Sequence, residues 1–328
     1  MGFAEIIGHR NQLLTLRTAL TNNRLHHAYC FVGPEGVGKR TVATALVKAV
    51  HCIKGGDDFC GQCINCARIT DGNHPDVRVI EPLASKKEIT IQQIRELERE
   101  LNYRSFSGRP KFAIIAPASL LNPASQNALL KTLEEPPENS LMILIAPNSG
   151  GLLPTVRSRC LRLAFAPLAR REVAEFLQTK CAIAAGDAQF LAAMSMGSIG
   201  AALSLDKDEL IEKRRGWAGM LGSLRAGDHH AAMAAAEALS GNRDEVLRFL
   251  KWADSWYRDV MVHSVTESDE ELVNLDMLEQ IREQSAATNP NRALSALSGI
   301  AGAAADVQRN LNRRMVLEKF LFDVVRGR

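Results

Sequence analysis

The sequence predicts an α/β fold: a parallel sheet with helices on both faces, then a small helical lid and an all-helical C-terminal segment. Three observations predict it. A glycine-rich loop, Gly33-Pro34-Glu35-Gly36-Val37-Gly38-Lys39, separates an apolar run from a helical pattern. Short apolar runs then alternate with amphipathic helical spacings to about residue 166, as expected for parallel strands covered on both sides. From Leu168 the strand signals stop, and from about Asp206 the chain is alanine-rich, charged and helical. The expected domains are therefore 1–166, nucleotide-binding-like with a cysteine-bearing insert at 52–66, a helical lid at 167–205, and a helical C-terminal domain at 206–328.

Leu13, Leu14, Leu16 and Leu20 give residues 9–23 a helical face. His27 to Val32 reads as the strand before the glycine loop, and a helix continues from that loop to about His51. Val77-Arg78-Val79-Ile80 reads as a short buried strand. Thr90 to Leu101 is a helix with Ile91, Ile94, Leu97 and Leu101 on one face. Lys111 to Ala116 is a strand. The next helix has Asn122 as N-cap and Pro123 at its first position, and ends before Pro136-Pro137. Leu141 to Ala146 and Cys160 to Phe165 are two more strands. Residues 169–205 read as short helices broken near Gly186 and Gly197. Asp244 to Val265 and Asn310 to Val325 are long helices.

A chain of 328 residues suggests two or three domains, and a hydrophobic fraction of 46% suffices for their cores. The net charge of +3 is too small to make the chain an electrostatic nucleic-acid binder in its own right. The N-terminal residues lack the pattern of a signal peptide, and no apolar run approaches the roughly 20 residues of a bilayer span. A cytosolic location, with reduced thiols, is expected.

The glycine loop has the context of a phosphate cradle. Gly33, Gly36 and Gly38 let backbone N–H groups curl around a phosphate, the helix N-terminus adds partial positive charge, and Lys39 is placed to reach the outer phosphates. Ser or Thr is needed immediately after the lysine to ligate Mg²⁺, but Arg40 stands there. Thr41 comes one residue later, about 100° around the helix. Phosphoryl transfer also needs an acidic pair after the second strand of the site. The strand Lys111 to Ile115 instead runs into Ala116-Pro117-Ala118-Ser119. Glu134 and Glu135 lie at the far end of the next helix. Both protein anchors for magnesium are missing, so hydrolysis is not expected, while weak nucleotide binding and no binding both stay open.

Four of the seven cysteines, Cys52, Cys60, Cys63 and Cys66, lie within fifteen residues. Four thiolates can surround Zn²⁺ tetrahedrally and leave no position for water, so the expected role is structural. Unligated thiols and an iron–sulfur cluster are the alternatives. Cys30, Cys160 and Cys181 are read as ordinary buried residues.

Arg24-Leu25-His26-His27-Ala28, Gly33 to Lys39, the four cysteines, His74-Pro75-Asp76, Asn127 to Pro137 and Ser158-Arg159-Cys160 recur in that order. Together they resemble the AAA+ clamp-loader subunits of bacterial DNA polymerase III, over essentially all of the first 205 residues. The resemblance implies an AAA+ P-loop domain, a helical lid and a C-terminal collar used for oligomerisation. Within the family the chain is nearer the delta-prime type than the ATP-hydrolysing gamma/tau type. The latter has Lys-Thr in the loop, Asp-Glu after the second strand and Gly-Ser-x-Arg in the lid. This chain has Lys39-Arg40, Ala116-Pro117 and Gly197-Ser198-Ile199-Gly200.

The resemblance also implies that Arg159 acts in trans on the ATP of a neighbouring subunit, as a permanently charged group able to hold two phosphate oxygens. Arg157 and Arg162 are weaker candidates for that role. Arg95 would face DNA, the competing reading being a solvated helix face on which Arg95 pairs with Glu98 or the neighbours of Arg99. The implied partners are gamma/tau and delta subunits, with the sliding clamp and primed DNA reached through the complex. The implied function is assistance in ATP-dependent clamp loading. The chain itself would neither hydrolyse ATP nor polymerise DNA, although it would be counted within the DNA-directed DNA polymerase III holoenzyme. Two other readings are an active gamma/tau-like ATPase and a zinc-bearing nucleic-acid-binding module on a vestigial ATPase fold.

Overall fold

The structure is a computed structural model and describes residues 2–83, 86–148, 150–269, 271–309 and 311–326. The chain forms two compact units, Met1–Ser204 and Leu205–Arg328.

The first unit is built on five parallel strands: β1 (Ala28–Val32), β2 (Val77–Ile80), β3 (Lys111–Ile115), β4 (Ser140–Ala146) and β5 (Leu161–Ala164). Their spatial order is β2-β3-β4-β1-β5. The helices are α1 (Arg10–Thr21), α2 (Lys39–His51), α3 (Ile64–Thr70), α4 (Ile91–Asn102), α5 (Pro123–Glu134), α6 (Pro154–Arg157), α7 (Arg170–Cys181), α8 (Ala185–Met194) and α9 (Ile199–Ser204).

Alternation along the strands divides the core in two. Tyr29, Phe31, Phe112, Ile114, Leu141 and Ile143 point to one face, where they meet Leu13 and Leu16 of α1 and Val42 and Leu46 of α2. Cys30, Val32, Ala113, Ile115, Met142 and Leu144 point to the other, against Ile94 and Leu97 of α4 and Leu129 and Leu133 of α5. Leu97 and Ile94 are essentially inaccessible, while Arg95 and Arg99 on the opposite side of α4 are exposed.

Three local expectations are corrected. β2 is an edge strand: Arg78 and Val79 are exposed rather than buried, because only β3 pairs with it. The cysteine insert, which the sequence reads as an inserted loop, is partly helical: Cys63 caps α3 and Cys66 lies in its first turn. The break expected near Gly186 falls at residues 182–184, where Ala182 takes a left-handed conformation (φ 54°) at the end of α7, so that its position but not its residue agrees. Gly186 lies inside α8, because glycine permits a break without enforcing one. The other break does fall at Gly197 (φ 79°).

The second unit is helical throughout its described residues, apart from short connections: α10 (Lys207–Ser223), α11 (His229–Leu239), α12 (Arg243–Thr266), α13 (Leu278–Ala287), α14 (Pro290–Gln308) and α15 (Arg313–Arg326). Asn310, the expected start of the last helix, lies outside the described residues. α12 runs through the core with Phe249, Trp252, Trp256 and Tyr257. Inside this unit Arg214 is fully buried, donating to Asn274 Oδ1 at 2.6 Å and to Asp276 Oδ2 at 2.9 Å. No helix among the described residues is long and apolar enough to cross a membrane.

Candidate functional site

The phosphate loop leaves the carboxyl end of the buried strand β1 and enters α2, with Gly38 at the N-cap. Lys39 is 6% exposed, and its ammonium turns back on the loop, donating to the carbonyl oxygens of Gly33 and Pro34. Burial pushes its pKa down, with the Glu35 carboxylate working the other way. The group expected to meet phosphate is thus bound to the loop that carries it.

The loop's other carbonyls are engaged as well. His9, the residue before α1, donates from Nε2 to Val37 O at 2.7 Å while its ring packs edge-on against Phe165. Ser198 Oγ donates to Glu35 O at 2.9 Å, and Gly200 N to Gly36 O at 2.9 Å. The start of α9 therefore sits directly on the loop. It can do so because two glycines meet there. A Cβ on Gly200 would lie 2.8 Å from Gly36 Cα, and one on Gly36 would lie 2.3 Å from Ser198 Oγ. Gly36 also has φ 71°, which side chains rarely adopt. At Gly200, where the resemblance would place a lid arginine in the gamma/tau type, the contact leaves no room for a side chain.

Neither residue after Lys39 replaces the absent hydroxyl. Arg40 is exposed and pairs with Glu81, just beyond β2, and Thr41 is exposed. Ala116 comes directly after β3, with its N–H on Ile80 O at 3.0 Å. The Glu81 carboxylate, one residue past the end of β2, is held by Arg40.

Arg159 occupies the opposite end of the sheet. β5 pairs with β1 in the register Tyr29↔Leu161 to Val32↔Ala164, so Leu161 is level with Tyr29, four residues before Gly33. At about 3.3 Å per residue, those two levels are about 13 Å apart along the strand. Arg159 lies two residues farther from the loop. Its Nη2 is 2.5 Å from Glu134 Oε1, its Nη1 donates to Thr155 O at 2.9 Å, and its side chain is 35% exposed. Glu134 ends α5, where a carboxylate is unfavourable beside the helix dipole and a guanidinium offsets it. An independent contact marks the same end of the sheet: His27, immediately before β1, has Nε2 3.1 Å from Leu133 O. Arg157 and Arg162 are exposed.

In the cysteine cluster the four Sγ atoms all lie within 4.8 Å of one another. Tetrahedral Zn²⁺ with bonds of about 2.3 Å needs sulfurs about 3.8 Å apart, so the donor set fits such an ion. Cys52 and Cys66 are buried, and Cys60 and Cys63 half-buried. The backbone N–H groups of Gln62 and Cys63 lower the Cys60 thiol to about 6, while burial pushes Cys66 up to about 12. A cation at the centre would hold all four as thiolates. The insert is tied down around the cluster. Asn65 Nδ2 donates to His51 O at 2.9 Å, and Asp58 Oδ1 accepts from Phe3 N at 2.9 Å. Of the other cysteines only Cys30 is buried; Cys160 and Cys181 are half-buried, against expectation.

Arg95 is exposed on α4, and among the described residues its guanidinium forms no ion pair. The expected competitor Glu98 accepts instead from Thr132 Oγ1 at 3.0 Å.

Sequence reasoning missed His9, Ser198 and Glu134 as parts of these sites. For Ser198 and Gly200 a signal existed, in the departure from Gly-Ser-x-Arg. His9 and Glu134 carried none, because their partners are 28 and 25 residues away.

Residues 8–169 match the family described as "DNA polymerase III, delta subunit". The DNA polymerase III subunit delta' of Bacillus subtilis strain 168 is 37% identical over 164 residues, 49% of this chain and 49% of that protein. The subunit tau/gamma of Haemophilus influenzae is 36% identical over 176 residues, 53% of this chain and 25% of that protein. The subunit tau of Escherichia coli strain K12 is 33% identical over 264 residues, 76% of this chain and 40% of that protein. The chain thus spans from a quarter to about half of the length of these curated relatives. Identity alone does not separate the two types.

Proposed function

We infer a role from the family: the chain belongs to the AAA+ clamp-loader subunits of DNA polymerase III. The reading we propose is a delta-prime-type subunit that does not hydrolyse ATP. It lends Arg159 to the ATP of a neighbouring gamma/tau-type subunit, and so assists the loading of a sliding clamp on primed DNA. The observation that carries this reading is the β1–β5 register, which keeps Arg159 and the chain's own phosphate loop at opposite ends of the sheet. A guanidinium so placed cannot reach its own loop, but it is partly exposed toward whatever lies beside that end.

The loop supports the same reading. Hydrolysis depends on positioning and on neutralising charge. Here Lys39 is bound inward, Arg40 is paired with Glu81, and Ala116 replaces the acid. Zn²⁺ held by Cys52, Cys60, Cys63 and Cys66 would be structural, since four thiolates close the shell. Arg95, on an exposed helix face and without an ion pair among the described residues, is the group we assign to a DNA phosphate. Activity in the cytosol follows from the proposed partners.

One observation favours the second reading, a gamma/tau-like motor: tau and tau/gamma relatives match as well as delta' ones. ATP turnover separates the two. The delta-prime reading predicts no turnover by the isolated chain, and turnover in a complex with motor subunits, clamp and primed DNA that drops by about three orders of magnitude or more in Arg159→Ala. Robust turnover by the isolated chain would establish the motor reading instead.

A further inference from the structure

Beside the cysteine cluster lies a second group of donors. His51 is the last residue of α2, and His74 and Asp76 come from the turn before β2. One donor atom from each lies within 4.8 Å of the others, and all three residues are buried: His51 0%, Asp76 3% and His74 4% exposed. We propose that His51, His74 and Asp76 form a second metal site, for one divalent transition ion such as Zn²⁺, distinct from the four cysteines.

Three features carry the assignment. Neither ring nitrogen of His51 has a hydrogen-bond partner of normal geometry, although the ring is wholly enclosed. The Pro110 carbonyl approaches it without completing such a bond. A buried imidazole with both nitrogens unsatisfied is a costly way to fill space, and a ligated metal would satisfy one of them. The Asp76 carboxylate, by contrast, is oriented. Oδ1 accepts from Phe106 N at 2.7 Å and Oδ2 from Ser107 N at 2.8 Å. The Ser107 hydroxyl also bonds this carboxylate. Three of its roughly four acceptor sites are thus used, and these donors fix it as outer partners fix metal ligands elsewhere, with one site left for an ion. The donor set itself, two imidazoles and one carboxylate, suits Zn²⁺ with a water as fourth ligand.

Two features oppose binding and define its cost. Arg109 places a cation nearby, with Nη1 donating to the carbonyls of Val50 and Cys52, and Asp76 must outweigh it. His74 Nδ1 accepts from Asp76 N at 3.2 Å, and ligation through either nitrogen of that ring replaces this long bond. Zn²⁺ bonds of about 2.0–2.1 Å also require the donors to draw to about 3.3 Å from one another. His51 is the ring able to move, since no hydrogen bond holds its nitrogens. Its ring contacts are to His74, at 4.4 Å between centroids, and to Phe112 at 5.7 Å.

The test is metal stoichiometry on the full chain, stripped by chelator and refilled with Zn²⁺ or Co²⁺. Wild type should take up about two equivalents, and His51→Leu about one. The double variant Cys60→Ser with Cys63→Ser should still bind Co²⁺, with ligand-field bands but without the thiolate charge-transfer absorption of a cysteine site. That spectrum keeps the proposal testable even if His51→Leu fails to fold. Uptake of a single equivalent with the thiolate band by wild type would overturn the proposal, as would two equivalents in His51→Leu. A single equivalent lacking the thiolate band, and lost in His51→Leu, would uphold this site and remove the cysteine one.

Discussion

At the carboxyl end of β1 the Lys39 ammonium is buried and bound to two carbonyls of its own loop, and the start of α9 lies across that loop. At the amino end of β5 the Arg159 guanidinium is a third exposed, held by one carboxylate, one carbonyl and, at 3.3 Å, the Ser158 hydroxyl. Both cations stand in stretches read from the sequence as phosphate-handling, yet their surroundings differ. The Lys39 ammonium is satisfied within its own loop, so a nucleotide would have to displace it and face α9. At the second end the guanidinium keeps donors to spare, because a fork with five N–H groups is only partly used. Spelling a phosphate motif is thus separate from having its charges available.

The closed end is the one a substitution should disturb most. Gly200→Arg supplies the arginine of the Gly-Ser-x-Arg pattern but drives a Cβ to within 2.8 Å of Gly36 Cα. Backbone on both sides leaves little room to yield, so the variant should lose about 1–3 kcal/mol of stability in the first unit. Hydrogen exchange at the β1 amides reads this directly, since all three tryptophans lie in the second unit and fluorescence would miss it. Unchanged protection would mean that α9 is not seated on the loop.

At the open end the expected effect is smaller. Glu134→Gln removes the anion that holds Arg159 without touching the guanidinium. A partly exposed pair of this kind is worth about 0.2–1 kcal/mol, which caps the loss of ATPase rate in the complex at about fivefold. A loss as large as that from Arg159→Ala would show that Glu134 itself meets the nucleotide.

Much of this was legible in the residues. The glycine loop, the N-cap Asn122 with Pro123 after it, and the alternating strand faces come from local chemistry, and Asn122 Oδ1 does accept from Ser125 N at 2.9 Å. Arg40 and Ala116, where a hydroxyl and an acid would ligate magnesium, are read from the sequence itself. The inward turn of Lys39 was not legible, because loop glycines suit an open cradle and a closed one equally. Nor was the meeting of Gly36 with Gly200, 164 residues apart. The apolar run Val77–Ile80 reads as buried because strand order, and with it edge exposure, is set by crossovers and not by the strand's own residues.

If this chain contributes chemistry at Arg159 and not at its own loop, the two cations should respond oppositely to removal. The decisive comparison is Lys39→Ala against Arg159→Ala in the reconstituted complex, with clamp and primed DNA present, monitoring ATP hydrolysis. Near wild-type turnover is expected for Lys39→Ala, and a loss of about three orders of magnitude for Arg159→Ala. Collapse in Lys39→Ala with turnover preserved in Arg159→Ala would contradict this division of roles.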